Sequence, residues 1–158
     1  MTDKAELMAQ LDAAREEMRA VLDGMDIHIE IYPGWTIKHV LAHIAGWDDA
    51  VIAALHAHAG GQEPATPAVR GIDFYNAQSV ATREALSYEH VVKEWELARE
   101  QFKAALDALP PEKLAEPLLF PWGPTGTVAQ LVRIFAEHEL DHAAEIAALK
   151  GVAHDGRE

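Results

Sequence analysis

TVAQLVRIFAEHELDHAAEIAALK, running from Thr127 to Lys150, is the stretch that decides the fold. At about 100° per residue, Leu131, Phe135, His138, His142 and Leu149 fall within about 60° of one another, which predicts an amphipathic helix. Thr127 is placed to cap its start, and Gly151 to end it in the left-handed conformation. His138 and His142 lie inside the apolar stripe, and Glu145 projects almost the same way. A helix that turns two imidazoles and a carboxylate toward its core needs a reason, because unpaired buried polar groups are costly.

Three more long helices are predicted upstream. The first runs from Asp3 to about Asp23, with Leu7, Leu11, Met18 and Leu22 at helical spacing, a capping box in Asp3 and Glu6, and a stop at Asp23-Gly24. The second starts at the capping Thr36, runs to about His58 and ends at Gly60-Gly61. The third, capped by Ser87, spans Tyr88 to Leu109 and is terminated by Pro110-Pro111. Between the second and third, GGQEPATPAVRG (residues 60–71) predicts a loop and residues 72–86 a short helix. Tyr32-Pro33-Gly34 predicts a turn, and residues 110–126 an irregular segment. No stretch alternates long enough to make a sheet. The pattern predicts an all-α fold, a single four-helix-bundle domain over residues 1–158, with a long connection between the second and third long helices.

Composition narrows the function. A hydrophobic fraction of 49% supplies a full core in 158 residues, without disulfide staples. No apolar run nears the roughly 18 residues of a membrane span. The first residues lack the apolar core of a secretory signal, so the expected compartment is the cytoplasm. The chain has no Cys, which excludes a protein thiolate as nucleophile or ligand. A net charge of -13, with 13 scattered basic residues, disfavours nucleic acids and anionic membranes as partners.

Residues four apart on a helix have Cβ atoms about 5–6 Å apart, so His138 and His142 can occupy adjacent positions on one metal ion. The letters His138-Glu139-Leu140-Asp141-His142 also match the H-E-x-x-H of zinc proteases, but no strand-rich protease framework surrounds them. The bland alternative is two core imidazoles hydrogen-bonded across the bundle. A third ligand must come from another helix. On the second helix, His43 lies at the edge of the apolar face made by Val40, Ile44, Trp47, Val51 and Leu55, while His39 points further out. His28, His56, His58, His90 and His154 lie near helix ends or on polar faces and read as surface.

The order of several motifs resembles the DinB-like superfamily of four-helix bundles, and within it the ClbS/DfsB branch. The resemblance rests on GWTIKHVLAHIAGW (residues 34–47), IDFYNA (72–77), Trp122-Gly123-Pro124 before a capping Thr, and HELDH (138–142). It implies a divalent metal, zinc or nickel, held by His43, His138 and His142, with an open coordination position and, often, a homodimer. It also implies an acidic residue at the position of His39 in many relatives. The activities it implies are thiol-dependent transfer, isomerisation or hydrolysis, including detoxification or self-resistance against a genotoxin.

Two functions follow. One is a metal-dependent enzyme, hydrolase or thiol transferase, acting on a small electrophilic molecule. Asp141 and Glu145 would then be the candidate general bases or ligand-orienting groups, and Trp47, Tyr75, Asn76 and Trp122 the pocket mouth. The other is a non-catalytic bundle that binds or sequesters a ligand. Because a metal displaces protons from imidazole, affinity is expected to fall as pH drops through about 6.5.

Overall fold

The computed structural model of the chain describes residues 3–68 and 70–155, of which 151–155 as backbone alone. Four long helices, α1 (Lys4–Leu22), α2 (Ile37–Ala59), α4 (Tyr88–Asp107) and α5 (Val128–Asp155), are joined by a short α3 (Ile72–Ala81) and two small hairpins. α2 packs along α4 and α1 along α5, with α3 laid against α2. The caps behave as their residue types require. Asp3 accepts from the Glu6 amide at 2.9 Å and Ser87 from that of His90 at 3.1 Å.

Several boundaries differ from the sequence expectation. The Tyr32-Pro33-Gly34 turn closes a hairpin of β1 (Glu30–Tyr32) and β2 (Trp35–Thr36), with Gly34 at the positive φ of 82° the turn requires. Residues 110–126 hold a 3₁₀ turn at Pro111–Leu114 and a second hairpin, β3 (Leu118–Leu119) with β4 (Thr125–Gly126). Strands of two or three residues are too short for alternation to reveal. α3 ends at Ala81 rather than near Leu86. α5 continues through Gly151 to Asp155; a glycine ends a helix only where the chain turns left-handed, and otherwise merely weakens it. Leu131 and Phe135 are buried, while Leu149, near the open end of the bundle, is half-buried.

His58 is a further correction. It is buried, and its Nε2 lies 2.9 Å from the Lys113 carbonyl, which ties the end of α2 to the 3₁₀ turn. The side chain of His154 lies outside the described residues. Gly46, in mid-α2, has a clear use: a Cβ there would strike the Ser79 side chain of α3. The Tyr75 hydroxyl donates to the Gly46 carbonyl at 2.7 Å across the same close approach.

At the centre of the bundle each long helix contributes one charged side chain to the interior. Arg15 of α1, Asp48 of α2, Arg99 of α4 and Glu139 of α5 are all at most 2% exposed. Arg15 Nε donates to Glu139 Oε1 at 2.8 Å. Arg99 takes Asp48 with two nitrogens, at 3.1 and 3.2 Å, and its Nη1 lies 2.8 Å from Glu139 Oε2 as a charge contact without hydrogen-bond alignment. Trp95 adds its indole N–H to Glu139 at 3.2 Å, and the Arg15 guanidinium stacks 3.8 Å over the Trp95 ring. Two cations and two anions cancel inside the core, and Arg15 Nη2, Arg99 Nη1 and Glu139 Oε2, which make no hydrogen bond, are held by charge contacts within the set, at 3.7 Å to Asp48 for the first and 2.8 Å between the other two.

Removing one member of such a set leaves a buried charge without its counterpart. Glu139→Gln is therefore expected to cost about 3–5 kcal/mol in urea unfolding, far more than an exposed glutamate. A loss below about 1 kcal/mol would show that the four charges do not act together.

Candidate metal centre

Glu139 faces the charge quartet, so the flanking residues of α5 are turned away from it. His138 and His142 point instead into the gap between α5 and α2. α2 answers with His43, 5% exposed. The three Nε2 atoms converge: His43 to His138 is 2.9 Å and His142 to His138 is 3.0 Å. The rings meet edge to face, with centroids 4.5–5.1 Å apart.

This donor set fits a metal. Two nitrogens each about 2.0–2.1 Å from one ion stand roughly 2.9–3.4 Å apart for angles between square and tetrahedral. Hydrogen bonding among the imidazoles satisfies the arrangement less well. His138 Nε2 carries either one proton or one in-plane lone pair, so it cannot close a linear hydrogen bond to both neighbours. Among the described residues, this is the group of His, Asp and Glu whose ligand atoms are close enough to share an ion.

The imidazoles are held in their neutral, ligating form. Burial, reinforced by the neighbouring His138 and His142, pushes His43 down to about 3. Burial, His142 and the Arg99 guanidinium of the quartet push His138 down to about 4. His142 is lowered by burial too, against the opposing pull of Glu145, Asp141 and Glu139. At His43 and His138 competition from protons therefore begins well below the 6.5 of the free side chain.

The first hairpin supports two of the three ligands, which the sequence reading missed. Tyr32 of β1 places its hydroxyl 2.7 Å from His142 Nδ1. If Nε2 is to offer its lone pair, Nδ1 carries the proton and donates it to the phenol oxygen. The phenol in turn hydrogen-bonds to Glu145, and burial and that carboxylate hold its pKa well above the ordinary phenol range. Trp35 of β2 packs against His43, with centroids 5.3 Å apart. His43 Nδ1 is buried without a hydrogen-bond partner; Asn76 lies beside it while accepting the Trp47 indole proton at 2.6 Å.

The imidazoles open onto a cavity of about 400 Å³. Trp47, Asn76 and Trp122 form part of its wall, and Asp141 and Glu145 reach it from α5. Phe135, Ile72 and Ile134 complete the apolar side. Tyr75 lies behind Trp47, with ring centroids 4.6 Å apart, and is not in that wall. The hydrogen bond to the Gly46 carbonyl holds it there.

His39 is not a loosely solvated residue. Its Nδ1 accepts from the Thr36 amide at 2.9 Å, and its Nε2 lies 2.9 Å from Glu84. It fills the third position of a capping box, where a carboxylate usually stands. An imidazole acceptor thus does the capping that an acidic residue would do, and it plays no part in the triad.

No curated protein sequence matches the chain. Residues 10–146 match the DinB superfamily. Several solved structures share the fold. The mycothiol-dependent maleylpyruvate isomerase is 16% identical at a TM-score of 0.77, over 92% of this chain and 61% of its own. The present chain thus spans about three-fifths of that enzyme's length. The colibactin self-resistance protein ClbS, in complex with a double-stranded DNA, is 14% identical at a TM-score of 0.77, over 93% of this chain and 94% of its own. YfiT from Bacillus subtilis, described as a probable metal-dependent hydrolase with an unusual four-helix bundle topology, is 18% identical at 0.70, over 96% and 87%. At these identities the likeness is one of fold.

Two outcomes follow from the geometry. In the metal-free protein His43 and His138 titrate near 3 and 4, whereas an unfolded chain takes up those protons near 6.5. The unfolded state then binds more protons through that window, so stability is full above about 6.5 and is lost as pH falls toward 4. The unfolding free energy from urea titrations in chelator should drop between pH 7 and 5 by about 2 kcal/mol per histidine, and less in His138→Gln; equal slopes in both proteins would contradict this. Tyr32→Phe removes the acceptor for His142 Nδ1–H and should weaken zinc binding roughly 10–100-fold with helicity unchanged. Unaltered affinity would show that the phenol does not orient the ligand.

Proposed function

The chain belongs to the DinB superfamily, and from the convergence of three neutral imidazoles on an open cavity we propose that it is a metal-dependent enzyme acting on a small electrophilic molecule. The reaction class is hydrolysis or thiol-dependent transfer, in the service of detoxification or self-resistance. The observation that carries this reading is the 2.9 and 3.0 Å spacing of the Nε2 atoms beside a ligand-sized space. A site serving structure alone would be closed on all sides. The relatives' descriptions, a thiol-dependent isomerase, a metal-dependent hydrolase and a self-resistance protein, supply the two reaction classes.

His43, His138 and His142 would hold the ion. When bound, zinc or nickel supplies Lewis acidity toward a substrate oxygen or sulfur. The protein's own groups do the rest. Tyr32 keeps the proton of His142 on Nδ1. Asp141 and Glu145, exposed at the cavity's edge, are placed to take a proton from an entering nucleophile. Trp47, Trp122 and Phe135 wall the space with apolar surface, which excludes bulk water from the reacting groups. The non-catalytic binding bundle draws no comparable support from an open, metal-ready site.

We further propose a homodimer working in the cytoplasm. No helix among the described residues is long and apolar enough to cross a membrane. We assign no nucleic-acid partner, despite the duplex bound to ClbS, because the charge of -13 opposes a phosphate backbone. A labelled DNA duplex should show no anisotropy change with micromolar protein at physiological salt, and a salt-sensitive rise would overturn that assignment.

The enzyme reading is tested with a panel of activated esters, lactones and epoxides, with and without a low-molecular-weight thiol. Turnover should appear on at least one class, vanish on chelation, return with zinc or nickel, and fall at least about a hundredfold in His138→Ala. Metal-loaded protein that turns over none of them would favour the binding bundle.

A further inference from the structure

The charges around the cavity are one-sided. The two carboxylates Asp141 and Glu145 stand in its wall, and among the described residues no Lys or Arg does. The basic residues nearest in sequence to the wall are Arg133, next to Ile134, whose guanidinium lies 3.9 Å from the Glu6 carboxylate, and Arg70, which sits over the Phe74 ring at 5.8 Å. Asp141 and Glu145 are one helical turn apart on α5, which makes them a mutually repelling pair. Glu145 gives part of its capacity to the Tyr32 hydroxyl, and a carboxylate has lone pairs to spare.

The remainder of the wall is apolar and aromatic. The indoles of Trp47 and Trp122 meet edge to face with centroids 6.0 Å apart. Ile72 and Ile134, in the same wall, are 49% and 39% exposed, an unusual outlay of aliphatic surface unless something covers it.

We propose that the cavity selects small organic cations: molecules with an apolar or aromatic body and an ammonium group, the body against Trp47, Trp122 and Ile134 and the cation at Asp141 and Glu145. A cation there relieves the carboxylate repulsion and gains from the indole faces. In the metal-free protein an anion of the same shape meets two like charges and no Lys or Arg in the wall. The chain's charge of -13 acts in the same direction at long range, drawing cations in and slowing anions. The proposal rests on the site assigned above and names its substrate class. An occupying metal ion lies among the imidazoles and leaves the carboxylates to read the other end of the molecule.

The test uses three probes of one shape: 2-phenylethylammonium, 2-phenylethanol and 2-phenylethanesulfonate. They are titrated into the metal-free protein and followed by the indole N–H resonances. The ammonium should bind at least about tenfold tighter than the sulfonate, with the alcohol between them, and the gap should narrow at high salt. The shifts should fall on Trp47 and Trp122 and spare Trp95, which is buried in the charge quartet. Both carboxylates are exposed, so Asp141→Asn/Glu145→Gln should fold normally and lose most of the preference. Equal binding of all three probes, preference for the sulfonate, no binding of any, or an unchanged preference in the double variant would each overturn the proposal. Because no metal is present, these results stand apart from metal binding and turnover, which decide the enzyme reading on their own.

Discussion

Arg15, Asp48, Arg99 and Glu139 meet inside a helical bundle whose surroundings are otherwise apolar. A buried ion pair is a poor source of net stability, because desolvating two charges costs about what their attraction returns. What a closed set of four provides is register. Each helix has one rotation and one height at which its charge finds both partners, and any slip strands a charge in the core. The hydrophobic layers on either side, with Leu7 and Phe102 toward one end and Met18 and Val91 toward the other, tolerate adjustment far better than the quartet does.

The candidate metal centre inherits that register. His138 precedes Glu139 directly, and His142 follows it by three residues, so the rotation that seats Glu139 between Arg15 and Arg99 also turns both imidazoles toward α2. On α2, His43 lies five residues before Asp48, which is held by the bidentate Arg99. The quartet also acts through its field: the Arg99 charge helps to keep His138 neutral. The first hairpin completes the arrangement from outside the bundle, with Tyr32 on His142 and Trp35 on His43. Precise ligand placement thus comes from packed helices, and ligand orientation from a loop element that closes over them.

The bundle was legible in sequence because it rests on helical periodicity, while the triad as a set of three ligands came from the family resemblance. His138 and His142 share a face by arithmetic, and His43 sits at the edge of a clear apolar stripe. The quartet follows the same periodicity. Arg15 continues Leu7 and Leu11 at intervals of four, Arg99 continues Val91 and Trp95, and Asp48 lies between Ile44 and Val51. Each is a charge at a core position, the same anomaly that drew attention to the histidines. In sequence, Glu139 reads as a letter of a protease motif. Centring the α5 stripe on His138 displaced it by one residue from the buried Val132, Ala136, Glu139, Ala143 and Ile146. Tyr32 and the displacement of Tyr75 from the cavity were not readable, since both depend on where short, non-periodic segments dock. His39 and His58 show the same limit: their partners, Thr36 and Glu84 for one and the Lys113 carbonyl for the other, come from turns and loops.

The account stands on the claim that His43, His138 and His142 bind one divalent ion. X-ray absorption at the metal edge, on untagged protein loaded with one equivalent of zinc and dialysed, measures that directly. The predicted result is one ion per chain with three imidazole nitrogens at about 2.0–2.1 Å, and loss of that shell in His43→Ala as well as in His138→Ala. Substoichiometric metal, a shell made of carboxylate oxygens, or a shell unchanged by removal of His43 would contradict it.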